Sequence, residues 1–74
     1  MMPLTEEQQA IKEMLFEVKE LMDLMGYKSV DQMTGYLISG DPTYISTHKD
    51  ARGKISSVER DEIIEVLLLE LFNK

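Results

Sequence analysis

The stretch from residue 62 to residue 72 reads EIIEVLLLELF, and it constrains the fold more than anything else in the chain. Wound as a helix, it puts Ile63, Ile64, Leu67, Leu68, Leu71 and Phe72 over about half of its circumference. Val66 and Leu69 fall outside that arc, and only Glu65 and Glu70 break the apolar surface along the second half. A helix that is apolar nearly all round has to be covered nearly all round. The chain has 74 residues, enough for one domain at most. A core of that size supplies only about 3–5 kcal/mol. There is no Cys for a disulfide, and the single His rules out a Cys/His zinc site. Yet 43% of the residues are hydrophobic, so self-association is the remaining way to stabilise so small a chain. The sequence therefore predicts a homodimer, most simply a two-fold one. Its expected interface is Ile63, Ile64, Leu67, Leu68, Leu71 and Phe72.

The rest of the chain reads as helix as well. Thr5 and Gln8 have capping-box spacing, and Glu6 and Glu7 suit the positive end of a helix dipole. Ile11, Met14, Leu15, Val18, Leu21, Met22 and Met25 follow a helical repeat and form one core stripe. Gly26 is expected to close this first helix in a left-handed cap, with Tyr27 folding back on Met22. Ser29 and Gln32 suggest a second capping box, opening a helix over residues 30–39 that buries Val30, Met33, Leu37 and Tyr36. Gly35 inside that helix costs about 1 kcal/mol relative to Ala, which implies close approach of a neighbour. Gly40 ends it, and Asp41-Pro42 starts the next turn. Short helical turns are expected over residues 42–45 and 49–52, with Gly53 as a breaker. Ser56 and Glu59 suggest a third box before a last helix over residues 57–72. The expected fold is an all-α bundle of three main helices plus one or two short helical turns, completed by homodimerisation. Residues 1–74 form one domain, with 1–4 as a short tail.

Net charge is −6, which opposes sequence-independent binding of nucleic acid or of an anionic membrane surface. The longest apolar run, Val66 to Leu69, is far below the ~20 residues of a membrane span. Met1-Met2-Pro3 leads into an acidic helix start with no signal-peptide pattern, so a cytoplasmic location is expected. No catalytic motif is present, and no cofactor or metal is expected. Glu59, Asp61, Glu62 and Glu65 lack the spacing of a calcium loop and suit a helix start instead. Met14, Met22, Met25 and Met33 are expected to fill gaps in the core. Tyr36 and Tyr44 are expected in the core too, with bonded hydroxyls, although they also flank Gly40-Asp41-Pro42 as a recognition pair would. His48, Lys49, Arg52 and Lys54 form the one basic cluster. It reads either as an anion site for a nucleotide, a nucleic acid or an acidic partner, or as solvated lysines beside an Arg52 paired to carboxylates of the last helix. Asp41, Tyr44, His48 and Arg52 are the candidate partner-binding or joint residues. Thr5, beside two carboxylates, reads as an N-cap and as a candidate phosphorylation site.

The middle segment carries a specific pattern: Gly26-Tyr27, Gln32, Gly35-Tyr36, Ser39-Gly40-Asp41-Pro42, Tyr44-Ile45, His48, Ala51-Arg52, Ile55 and Glu59-Arg60-Asp61-Glu62-Ile63 with Glu65. This run resembles the IreB family, small regulatory proteins of Gram-positive bacteria. The resemblance covers roughly Gln9 to the C-terminus. It implies an all-helical homodimer without enzymatic activity that acts in cell-envelope stress or antibiotic-tolerance signalling. It also implies a transmembrane Ser/Thr kinase and an unidentified regulatory protein as partners, with phosphorylation on N-terminal threonines. The chain departs from the family pattern in four places. Its polar tail before the first helix is shorter, and Lys28-Ser29 stands where Asn-Pro is usual. Ser56-Ser57-Val58 replaces basic residues, and Gly53 replaces a helix-compatible residue.

Overall fold

A computed structural model describes residues 3–73; Met1, Met2 and Lys74 lie outside the described residues, and with them half of the expected tail. The described chain is all helix and turn, with no strand. Helix α1 spans Glu6–Leu24, α2 Ser29–Ser39, α3 Ala51–Ser56 and α4 Arg60–Phe72. Two short 3-10 turns, Pro42–Tyr44 and His48–Asp50, bridge α2 to α3. Three main helices and short turns were expected; α3 is an additional short helix.

Helix α1 is the central element, and α2, α3 and α4 all pack against it. Its start is the expected capping box. The Thr5 hydroxyl accepts from the Gln8 amide at 3.1 Å, and the Gln8 side-chain oxygen accepts from the Thr5 amide at 3.0 Å. Its end is the expected Schellman turn: Gly26 sits at φ 81, its amide donates to Asp23 O, and the Tyr27 amide donates to Met22 O. Between them, Ile11, Val18, Leu21 and Met22 are buried, while Met14 and Leu15 are packed against the core edge. Met25 is exposed, because it caps the helix where the chain turns away.

Two expected capping boxes do not form. Ser29 lies inside α2 and is buried; Lys28 occupies the cap position without a side-chain bond. Gln32 reaches across to the connecting segment instead and donates to the carbonyl of Tyr44 at 3.1 Å. At α4 the cap is Glu59, again without a side-chain bond, and the helix starts three residues later than expected. The reason lies in Ser57, whose hydroxyl donates to Lys54 O at 2.7 Å and whose amide closes α3. The Ser57 segment therefore ends one helix and does not begin the next. Gly53 does not break the chain. It sits within α3, where a Cβ would meet the Asp50 carboxylate.

Around α1 the core is completed by Tyr36 of α2, Ile45 of the connecting segment, Ala51 and Ile55 of α3, and Ile63 and Val66 of α4. Val66, expected off the apolar arc of α4, is thus on the core side. Val30, expected in the core, is 67% exposed. Met22 has no exposed surface, and its sulfur accepts a hydrogen bond from the Ser46 amide at 3.3 Å. Gly35 explains itself: a Cβ there would lie 2.5 Å from Cε1 of Tyr44, whose ring rests on the bare helix backbone.

Candidate functional site

The corner from Gly40 to Arg52 is a chain of local bonds. Gly40, at φ 75, ends α2. Asp41 then accepts at one carboxylate oxygen from the Thr43 amide at 2.9 Å and from the Thr43 hydroxyl at 2.7 Å. These bonds to Thr43, with a smaller contribution from the Arg52 charge, hold the Asp41 carboxyl below its ordinary range. Pro42 opens the 3-10 turn that brings Tyr44 over Gly35. Tyr44 remains 39% exposed, unlike the buried Tyr36.

Past the buried Ile45, Ser46 organises the next turn. Its hydroxyl accepts from the His48 amide, and its carbonyl accepts from the Arg52 amide, both at 3.0 Å. Lys49 and Asp50 are both left-handed, at φ 46 and φ 59. Such a conformation costs a non-glycine residue roughly 1–2 kcal/mol. The Arg52 side chain locks the turn from outside, with Nε donating to Ile45 O at 2.9 Å. This differs from the expected pairing of Arg52 with carboxylates of the last helix. A carbonyl seven residues back is nearer than Glu59, Asp61 or Glu62, and it needs a donor.

Asp41, Tyr44, His48 and Arg52 all belong to this corner, and Arg52 ties to the backbone that carries Tyr44 and His48. Lys54 does not join the basic cluster: its ammonium reaches back to Glu17 of α1 at 3.6 Å. Among the described residues no three His, Asp or Glu side chains group as metal ligands would. No described helix is long and apolar enough to cross a membrane. Sequence reasoning missed Arg60, whose guanidinium lies against Gly40 and donates to Leu37 O at 3.1 Å. A cation beside the carbonyl end of α2 is electrostatically favoured. Only the tertiary fold brings it there.

The second notable surface is apolar. On α4, Ile64, Leu67, Leu68, Leu71 and Phe72 are exposed, the last two at 66% and 73%. Ile63, from the same expected set, is instead fully buried within the chain. A surface helix normally turns such a face inward. Beside this convex face a concave groove of about 450 Å³ opens between α1, α2 and α4. Phe16, Val30 and Leu67 are among its walls. Phe16 and Val30 were not expected at a surface site. One helical wheel at a time does not show which faces three helices leave in common.

Thr5 is exposed at the opposite end of α1, flanked by Glu6 and Glu7. Gln8, its capping partner, also donates to Glu65 of α4 at 3.1 Å.

Comparison of the sequence with known proteins gives a family match. The model of the IreB regulatory phosphoprotein family matches residues 2–73. A UPF0297 protein of Acetivibrio thermocellus is 47% identical over 57 residues. That match covers 77% of this chain and 63% of the relative, so the chain spans less than two thirds of the curated relative's length.

Proposed function

The chain belongs to the IreB family of regulatory phosphoproteins, and from that premise we propose that it acts by binding proteins and carries out no chemistry of its own. The pathway in this reading is Ser/Thr-kinase-linked signalling of cell-envelope stress or antibiotic tolerance, on the cytoplasmic side. The working form is a homodimer. The observation that carries the reading is the uncovered apolar arc of α4, Ile64, Leu68, Leu71 and Phe72, on a chain with net charge −6. Like-charged copies associate only if apolar burial outweighs repulsion, and this arc offers four large, partly exposed side chains, each contributing at most about 1.5–3 kcal/mol on full burial.

Within this reading the Asp41–Arg52 corner is the face read by a regulatory partner, with Asp41, Tyr44, His48 and Arg52 as its contact or joint residues. Thr5 is the phosphoacceptor. A phosphate there would sit at the positive end of α1 but beside Glu6 and Glu7, and one helical turn from the Gln8–Glu65 link. The basic-cluster alternative, a nucleotide or nucleic-acid module, loses support because Lys54 is turned to Glu17.

Light scattering of the wild type and of Leu68→Asp with Phe72→Asp tests the reading. The wild type should give twice the 8.5 kDa chain mass at micromolar concentration and the double variant the single mass. A wild type that stays at one chain mass there overturns the dimer. Incubation with a family Ser/Thr kinase and nucleoside triphosphate, read by mass spectrometry, should place one phosphate on Thr5. Phosphate found elsewhere removes that assignment.

A further inference from the structure

We propose that the groove between α1, α2 and α4 is a docking site for an acidic amphipathic helix of a partner protein. This rests on the reading of the chain as a protein-binding regulator and goes beyond it by naming the chemistry of one partner. The groove has two unlike walls. The α2 wall is apolar at Val30, Met33 and Leu37, with Thr34 its one polar side chain among the described residues. The α1 wall sets Leu15 and Phe16 between Lys12 and Lys19. These two lysines are seven residues apart, two helical turns, or about 10 Å along the axis. A helix laid in the groove would bury apolar residues at i, i+3 and i+7 and set carboxylates two turns apart beside the ammonium groups.

The charge at this place runs against that of the molecule. The chain carries −6, yet two of its eight cationic residues stand on one edge of this groove, with Glu70 the one carboxylate among its described lining residues and Asp23 pairing Lys19 from outside it. Both lysines now hold surface pairs, Lys12 with Glu70 at 3.2 Å and Lys19 with Asp23 at 2.7 Å. The Lys19–Asp23 pair is exposed and contributes about 0–1 kcal/mol, so an incoming carboxylate can replace it at little cost, while the Lys12–Glu70 pair is part-buried. A basic helix would meet the two ammonium groups and be repelled. The convex arc of α4 can pair with its own copy across a two-fold axis, but two convex faces do not fill a concave groove.

The test uses the full chain and two fluorescein-labelled synthetic peptides read by anisotropy. Both are 14-residue helices with Leu at i, i+3 and i+7. One carries Glu at the two flanking positions two turns apart, and the other carries Lys there. The Glu peptide should bind at least tenfold more tightly than the Lys peptide. Lys12→Glu with Lys19→Glu, a surface change that leaves the core intact, should reverse that order. Val30→Asp should abolish binding of both, with the helical circular dichroism unchanged. Equal binding of the two peptides, or no reversal in the charge-swapped variant, overturns the proposal. So does loss of self-association in Val30→Asp with neither peptide bound, which would assign the groove to contact between copies. Light scattering on the same samples keeps these outcomes separate from failure of the α4 contact.

Discussion

Alanine at position 35 should destabilise this protein even though it replaces a glycine in the interior of a helix. The intrinsic helix preference favours Ala by about 1 kcal/mol. Against it stands the ring of Tyr44. A Cβ built on Gly35 lies 2.5, 2.7 and 2.9 Å from three ring carbons. Carbon atoms in van der Waals contact sit at about 3.5–4.0 Å, so the ring has to retreat by roughly 1 Å. Overpacking of that kind costs about 1–3 kcal/mol. The net expectation is a loss of about 1 kcal/mol, or roughly 4–8 °C in Tm for a domain of this size. Removing the obstacle should reverse the sign. In a Tyr44→Ala background, Gly35→Ala should stabilise by up to about 1 kcal/mol, giving a coupling near 2 kcal/mol. Urea and thermal unfolding of the four proteins, followed by circular dichroism at one fixed chain concentration, measures this cycle. If Gly35→Ala shifts stability equally in both backgrounds, close packing of the ring on the helix is not why glycine stands there.

Three further outcomes follow from the same geometry. Ile63→Ala empties a fully buried site and should cost about 2–5 kcal/mol in urea unfolding, with no gain in exposed charge to confuse the reading. Lys49→Gly should stabilise by a few tenths to about 1 kcal/mol, because glycine adopts φ 46 without the steric cost that lysine bears; a lower Tm would contradict the left-handed turn. Acid should weaken the fold through Asp23 and Asp41. Lys19 foremost and then the Ser29 hydroxyl depress the Asp23 carboxyl, and Thr43 depresses that of Asp41. Groups with a lowered folded pKa lend stability above their unfolded value of about 3.9, and that stability is lost as pH falls through the folded values. Asp23→Asn with Asp41→Asn should therefore flatten the pH dependence of Tm below about pH 4.

What could be read from the residues and what could not divides along physical lines. The two ends of α1 were legible because their signals are local: Thr5 to Gln8, and Gly26 to Tyr27, each involve neighbours within one turn. Gly35 was legible as a contact, because a costly glycine inside a helix implies something close by. The Ser29 and Ser56 boxes failed for the opposite reason. Their spacing was correct, but Gln32 found the Tyr44 carbonyl and Ser57 found Lys54, and tertiary or competing local partners outweigh a capping pattern worth about 1 kcal/mol. Val30 and Val66 were misassigned because α2 and α4 are apolar over wide arcs, and periodicity then cannot say which part of the arc faces inward. At the candidate site, the residues of the corner were legible, since Gly, Asp-Pro, His and Arg stand out in a polar run. The partner of Arg52 was not. A guanidinium has many possible acceptors in an acidic sequence, and the backbone oxygen of Ile45 became one only when the turn folded.

Methionine at position 22 does two things at once. It fills the centre of the bundle, and its thioether receives the only proton that the Ser46 amide offers. Leucine has nearly the same bulk and would close the same space, but it would leave that half-buried amide without its partner. The tolerance of this position is therefore set by lone pairs as much as by shape. A core swap judged harmless on size alone would loosen the turn that leads into His48 and Arg52.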